Sequence, residues 1–310
     1  MRTLSHDGLY DPQYEHDACG IGFVANIDGR RSHDVVRQGI QVLENLVHRG
    51  ACGCDPDTGD GAGMTFQQPH EFFLEEAERL GFALPDRGKY AAGMVFMPHD
   101  AGDREACRAI VEKHILAEGQ KVLGWRDVPR NSSALGWLAR EGEPVIQQVF
   151  VRRAEVKNTD AFERKLYLIR KQIEREVHAS DLKSKDQFYI CSLSARTIVY
   201  KGLMLADQIQ KYYVDLENER FTSALAMVHQ RYSTNTFPAW RLAHPYRFLC
   251  HNGEINTLRG NINAMTAREA NLASPHFGDD IEKLKPILTP GASDSAMFDE
   301  AFELLVRGGR

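Results

Sequence analysis

The chain has 310 residues, 43% hydrophobic and 26% charged, the balance of a globular protein with apolar residues for one large core or two modest ones. Its formal net charge is -5, and basic residues are interleaved with acids, as in EAERL and RKQIEREV, which argues against a nucleic-acid or anionic-membrane surface. No run approaches the roughly 18 apolar residues of a spanning helix, and the first stretch lacks a basic and then apolar signal pattern, so no membrane association is read and the cytoplasm is the expected compartment.

In chain order, residues 1–18 carry no apolar run, and a strand begins after Cys19 with Ile21, Phe23 and Val24. Residues 32–50 read as a helix, with Ser32 as N-cap, Val36, Ile40, Leu43 and Val47 at helical spacing, and Gly50 as the stop. TGDGAG, at 58–63, reads as a tight turn: a phosphate loop is excluded because Met64 stands where the third glycine belongs and no G-K-[ST] follows. Helices are predicted over 69–81, 103–119 and 160–177, the last with Asp160 and Glu163 as a capping pair. The β-branched and aromatic segments 90–97, 121–128, 144–151, 187–194, 197–202, 224–232 and 246–253 are predicted strands. Several are paired by short turns and the helices cluster, so the fold class is α+β with antiparallel sheets. No linker divides the chain. One domain is expected, with the connector 178–186 as its weakest point.

Six cysteines, Cys19, Cys52, Cys54, Cys107, Cys191 and Cys250, are irregularly spaced, which suggests reduced thiols rather than a disulfide framework. His48, Cys52 and Cys54 lack the second ligand pair of a structural zinc site, so no metal is expected. Cys19 admits two readings. It is either a buried cysteine of an edge strand, or a nucleophile whose base is its own α-amine once residues 1–18 are removed behind Ala18. An α-amine with a pKa of about 7.7 to 8.0 is partly free at neutral pH, where a lysine at about 10.4 is not.

Five segments taken in order decide between these readings: CGIGF at 19–23, LVHRGACGCDPDTGDGAGM at 46–64, HQRYSTNTFPAW at 229–240, HNGEINTLRGN at 251–261 and GASDSAMFDEAFELL at 291–305. Together they resemble a class II glutamine amidotransferase domain, and within that class the amidotransferase domain of glutamate synthase large subunits. The resemblance implies a four-layer αββα sandwich of the N-terminal nucleophile hydrolase type over 19–310, either whole or truncated at its C-terminus, preceded by a leader 1–18 that is removed.

The resemblance also implies roles. Cys19 attacks the side-chain amide of L-glutamine, while the Asn252 side chain and the Gly253 backbone N–H form the oxyanion hole. Arg231 binds the α-carboxylate, Asp294 binds the α-ammonium, and Arg49 and Gly50 shape the pocket. Each residue keeps a plainer alternative: a hairpin turn for Asn-Gly, a solvated side chain for Arg231, helix capping for Ser293 or Asp294. The segment 233–240 reads as a lid or as an ordinary surface loop. Cysteines at 52 and 54 stand where small residues are expected. FMN and an iron-sulfur cluster are implied for a synthase domain that receives the ammonia, and no cofactor is expected in this chain. The rivals are another class II branch, against which the long stretch between TGDGAG and HQRYST stands, and a non-catalytic module that keeps its leader.

Overall fold

A computed structural model describes residues 19–231 and 237–309. The expected leader 1–18, residue 232 at the end of one predicted strand, and residues 233–236 of the expected lid lie outside the described residues. The strands are β1 (Ile21–Ala25), β2 (Ala62–Gln67), β3 (Tyr90–Met97), β4 (Lys121–Asp127), β5 (Val145–Arg152), β6 (Tyr189–Ser194), β7 (Thr197–Gly202) and β8 (Leu225–Gln230). The helices are α1 (His33–Asn45), α2 (His70–Arg79), α3 (Ala101–Ala117), α4 (Trp137–Glu141), α5 (Thr159–Ala179), α6 (Ile209–Tyr212), α7 (Leu258–Glu269) and α8 (Asp294–Arg307).

Two four-stranded sheets, ordered β1-β8-β2-β7 and β4-β5-β3-β6, pair antiparallel throughout. Helix α1 packs on β1 and β8 of the first sheet, α3 and α5 pack on β4 and β6 of the second, and β7 meets β3 and β6 where the sheets approach. This is the α+β architecture expected, consistent with an N-terminal nucleophile hydrolase-type sandwich. The reason β3 carries an almost unbroken apolar run is that both its faces are covered. Met94 and Phe96 enter a core shared with Met64, Phe66 and Tyr200 of the first sheet, while Val95 and Met97 enter a second core with Val111, Phe162 and Ile169 of α3 and α5. A third cluster ties α5 to the C-terminal part through Tyr167, Leu168, Phe277, Ile281, Leu284 and Leu304.

Ser32 caps α1 as expected, accepting from the Val35 N–H. Ser32→Ala is expected to destabilise the protein by about 1 kcal/mol, seen as a lower urea midpoint with an unchanged slope.

Several expectations are corrected. Helix α5 is capped by Asn158, whose side chain accepts from Ala161 N at 2.9 Å; Asp160 instead pairs with Arg196, and Glu163 turns inward to Ser194 Oγ (2.8 Å) and Ala195 N (2.7 Å). The TGDGAG turn ends at Gly61, held at φ 137°, and Ala62 and Gly63 already belong to β2. Segment 246–253 forms no strand. Its backbone donors at Phe248 and Leu249 go to Asp299 Oδ1 (2.8 and 3.2 Å), a fully buried carboxylate on α8, so a helix side chain takes the bonds that a neighbouring strand would have made.

Candidate active site

β1 is an edge strand, and its register on β8, with Ile21 opposite His229 and Gly20 O accepting from Gln230 N at 2.8 Å, carries Cys19 just past the end of the sheet. Cys19 is exposed there, which removes the buried-cysteine reading. Its neighbour Gly20 is buried, and a Cβ at that position would lie 2.4 Å from Gln230 O and 2.6 Å from the Asn252 amide. Only glycine lets the loop that carries Asn252 close down on the start of β1. Cys250, two residues earlier on that loop, also senses Cys19: burial pushes its thiol up to about 12, and the neighbouring Cys19 adds to the shift.

The Asn252 side chain spans two groups. Its surroundings place the amide oxygen as acceptor of the Gly20 N–H, and the amide nitrogen as donor to His229 Nε2 (2.5 Å) and to the His251 carbonyl (3.3 Å). The expected oxyanion donor is therefore beside Cys19, with its nitrogen turned toward His229. Gly253 follows on an irregular, exposed stretch with no flanking strands, so the Asn-Gly pair is not a hairpin turn.

Arg231 leaves the end of β8, fixed by its N–H to Gly61 O at 2.8 Å. It is 8% exposed rather than solvated. Burial pulls its guanidinium below the ordinary arginine value, opposed by Tyr246, Asp60 and Asp294 around it. Helix α8 is capped by Ser293, which accepts from Ala296 N at 3.2 Å and meets the Tyr246 hydroxyl at 3.1 Å. Capping thus falls to Ser293. Asp294, in the first turn, accepts from Ser295 N (2.6 Å) and from Ile255 N (3.2 Å), tying the Asn252 loop to α8 within electrostatic reach of Arg231. Gly50 backs the same corner, since a Cβ there would lie 2.4 Å from the Gln230 amide nitrogen; Arg49 precedes it, half-buried. Cys19, Asn252, Gly253, Arg231, Asp294, Arg49 and Gly50, distant in sequence, thus gather around the end of the first sheet. Of the expected lid, Trp240 is an anchor, buried and donating through Nε1 to Ala139 O at 3.0 Å, while Phe237 is 96% exposed.

The sequence reading missed a buried layer beneath Asn252. His229 and His244 stack with ring centroids 4.5 Å apart, and His251 lies edge-on at 5.6 Å from His244. Burial drives His229 down to about 4 and His244 well below the ordinary value, which makes both neutral at neutral pH. Next to them, the Lys201 ammonium donates to Arg241 O (3.0 Å) and Ala243 O (2.7 Å), and burial brings it down to about 7. The available signal was local: His229 and His251 open the HQR and HNG motifs.

The family model of the glutamine amidotransferases class-II matches residues 19–310, starting at Cys19. The chain belongs to this family. Among curated relatives, it is 49% identical over 304 residues to the glutamate synthase [NADPH] large chain of Bacillus subtilis (strain 168), covering 98% of this chain and 20% of that protein. It is 47% identical over 296 residues to the chloroplastic ferredoxin-dependent glutamate synthase of Oryza sativa subsp. japonica, covering 96% of this chain and 18% of that one. Similarity to the glutamate synthase [NADH] of Saccharomyces cerevisiae is 44% over 312 residues, 97% of this chain and 14% of the relative. The amidotransferase chain spans about a fifth or less of the length of these relatives. Among its described residues, no helix is long and apolar enough to cross a membrane, and no group of three or more His, Cys, Asp or Glu side chains is placed to hold a metal ion.

Proposed function

We propose that this domain hydrolyses L-glutamine to glutamate and ammonia and hands the ammonia to a synthase domain of a glutamate synthase. The observation that carries this reading is the meeting of an exposed Cys19 with the Asn252 loop at the end of β1, beside an Arg231–Asp294 pair suited to the two charged ends of a free amino acid.

Removal of residues 1–18 frees the Cys19 α-amine, which takes the thiol proton. The sulfur then bonds to the side-chain amide carbon, and the negative charge moves to the amide oxygen, stabilised by the Gly253 backbone N–H and by the Asn252 amide once it turns its N–H from His229 toward Cys19. The ammonium formed on Cys19 returns its proton to the leaving nitrogen, so ammonia departs and a thioester remains. Water adds to the thioester carbon with the amine again as base, giving glutamate and the free thiol. Arg231 holds the substrate α-carboxylate with its guanidinium fork, and Asp294 holds the α-ammonium. Arg49 and Gly50 close the pocket wall behind Gln230.

In that synthase domain, 2-oxoglutarate would condense with the ammonia, losing water, and would take a hydride equivalent and a proton from an external electron donor to give a second glutamate. Iron-sulfur ligation needs a set of cysteine thiolates. Among the described residues the cysteines are dispersed and form no such group, so these residues do not fit the cluster, and we assign it and FMN to a domain outside this chain.

The test is intact mass after treatment with 6-diazo-5-oxo-norleucine, an electrophilic glutamine mimic. One covalent adduct on a chain beginning at Cys19 is the expected result. A chain that keeps residues 1–18 and takes up no reagent supports a non-catalytic module instead. Arg231→Lys is expected to raise KM for glutamine about tenfold or more with kcat changed far less, because a point charge replaces a bidentate fork. Steady-state kinetics read the split, and an unchanged KM removes Arg231 from carboxylate binding.

A further inference from the structure

The Asn252 amide can face two ways, and each way is matched to a different protonation site on His229. In the arrangement that satisfies both ends of the amide, Nε2 of His229 accepts from the amide nitrogen at 2.5 Å, and the amide oxygen accepts from the Gly20 N–H. This requires the imidazole proton on Nδ1, where it meets no acceptor among the described residues: His229 Nδ1 is buried without a hydrogen-bond partner among them, against the stacked ring of His244. With the proton on Nε2 instead, two acceptors stand in reach, the His251 carbonyl at 3.2 Å and the amide oxygen of Asn252 once the amide is turned over. The turned amide presents its nitrogen to the Cys19–Gly20 end of β1. Nδ1 is left without a partner in both arrangements, as an N–H in the first and as a bare acceptor in the second, and the second also leaves the Gly20 N–H facing a donor, so the turned amide needs a substrate oxygen to favour it.

We propose that His229 is a positioning residue for Asn252: the ring nitrogen that carries its proton decides which way the amide faces, and so whether the amide N–H donors are aimed at the oxygen of a substrate held on Cys19. This rests on the glutaminase reading above and adds to it the device that assembles the oxyanion hole. His229 does not touch the substrate. It is 1% exposed and reaches the reacting centre only through Asn252. Substrate oxygen arriving at Cys19 rewards the turned amide, so the hole is completed by binding rather than standing ready.

The experiment uses the full-length protein with three variants, His229→Phe, His229→Asn and His229→Gln, and measures ammonia release from L-glutamine beside alkylation of Cys19 by iodoacetamide, which needs no oxyanion hole. Phenylalanine keeps the ring stack and removes both nitrogens. It is expected to lower kcat about 10- to 100-fold with KM within threefold and alkylation unchanged. Glutamine, whose terminal amide reaches the place of Nε2, is expected to recover kcat to within about threefold, and asparagine, which reaches only the place of Nδ1, is not. A His229→Phe enzyme with wild-type kcat, or one whose alkylation falls in step with kcat, overturns the proposal. Should the phenylalanine variant not fold, the other two decide: equal kcat in the glutamine and asparagine variants overturns it as well. Wild-type protein that releases no ammonia refutes the glutaminase reading itself, and the inference with it.

Discussion

Cys19→Ser is expected to abolish ammonia release from glutamine and the covalent adduct with 6-diazo-5-oxo-norleucine, while leaving the melting temperature unchanged because position 19 is exposed and lies before β1. The argument turns on a proton. A cysteine thiol near pKa 8.5 and an α-amine near 8 differ by less than about one unit, so moving the proton between them costs under about 1.4 kcal/mol. A serine hydroxyl is a far weaker acid, and the same amine cannot activate it at neutral pH. The substitution also separates chemistry from binding. Arg231 and Asp294 stay in place, so glutamine should still protect the variant against unfolding by mass action even though it is not turned over. Turnover by Cys19→Ser at more than about one part in a thousand of the wild-type rate would place the nucleophile elsewhere. Activity from a chain that still begins at Met1 would refute the α-amine as base, because the Cys19 nitrogen would then be locked in a peptide bond.

How far the sequence foretold this arrangement differs from element to element, for physical reasons. β3 and β7 were legible to the residue because burial on both faces writes an apolar run into the chain, and the start and buried face of α1 were legible because its cap and one-sided burial leave a period, although the helix ends at Asn45 rather than at Gly50 and Val47 is exposed in a separate 3-10 turn. Segment 246–253 has the same apolar and aromatic composition as a strand, but that composition reflects a loop pressed on α8, and its hydrogen-bond acceptor, Asp299, lies about 50 residues further on. No local pattern encodes such a partner. β2 was hidden by glycines needed for close approach: a Cβ on Gly63 would lie 2.3 Å from His244 O. Helix α7 buries no residue and so shows no apolar stripe. At the site, Cys19, Asn252, Gly253, Arg231 and Asp294 were picked out through family resemblance and side-chain chemistry, and the fold brings them to one corner. The histidine stack and Lys201 were not, because histidines at 229, 244 and 251 become one group only when β8 and the following loops fold back on each other.

Asn252→Ala is expected to lower kcat about 100- to 1,000-fold with little change in KM, the loss that follows removal of one oxyanion donor to a tetrahedral intermediate, roughly 2.7 to 4 kcal/mol. The Gly253 N–H would remain, so some residual turnover should persist, unlike in Cys19→Ser. Alanine alone does not isolate the donor, because the Asn252 oxygen also receives the Gly20 N–H. Asn252→Asp separates the two functions. Aspartate keeps an acceptor for Gly20 N–H and nearly the same shape, but it offers no donor and sets a negative charge against a developing oxyanion. If the asparagine acts through its N–H, aspartate must be at least as slow as alanine. If it acts only by holding the start of β1, aspartate should recover most of the rate. Steady-state kinetics of both variants read the difference, and an aspartate enzyme faster than the alanine one would transfer the catalytic role from Asn252 to the backbone it braces.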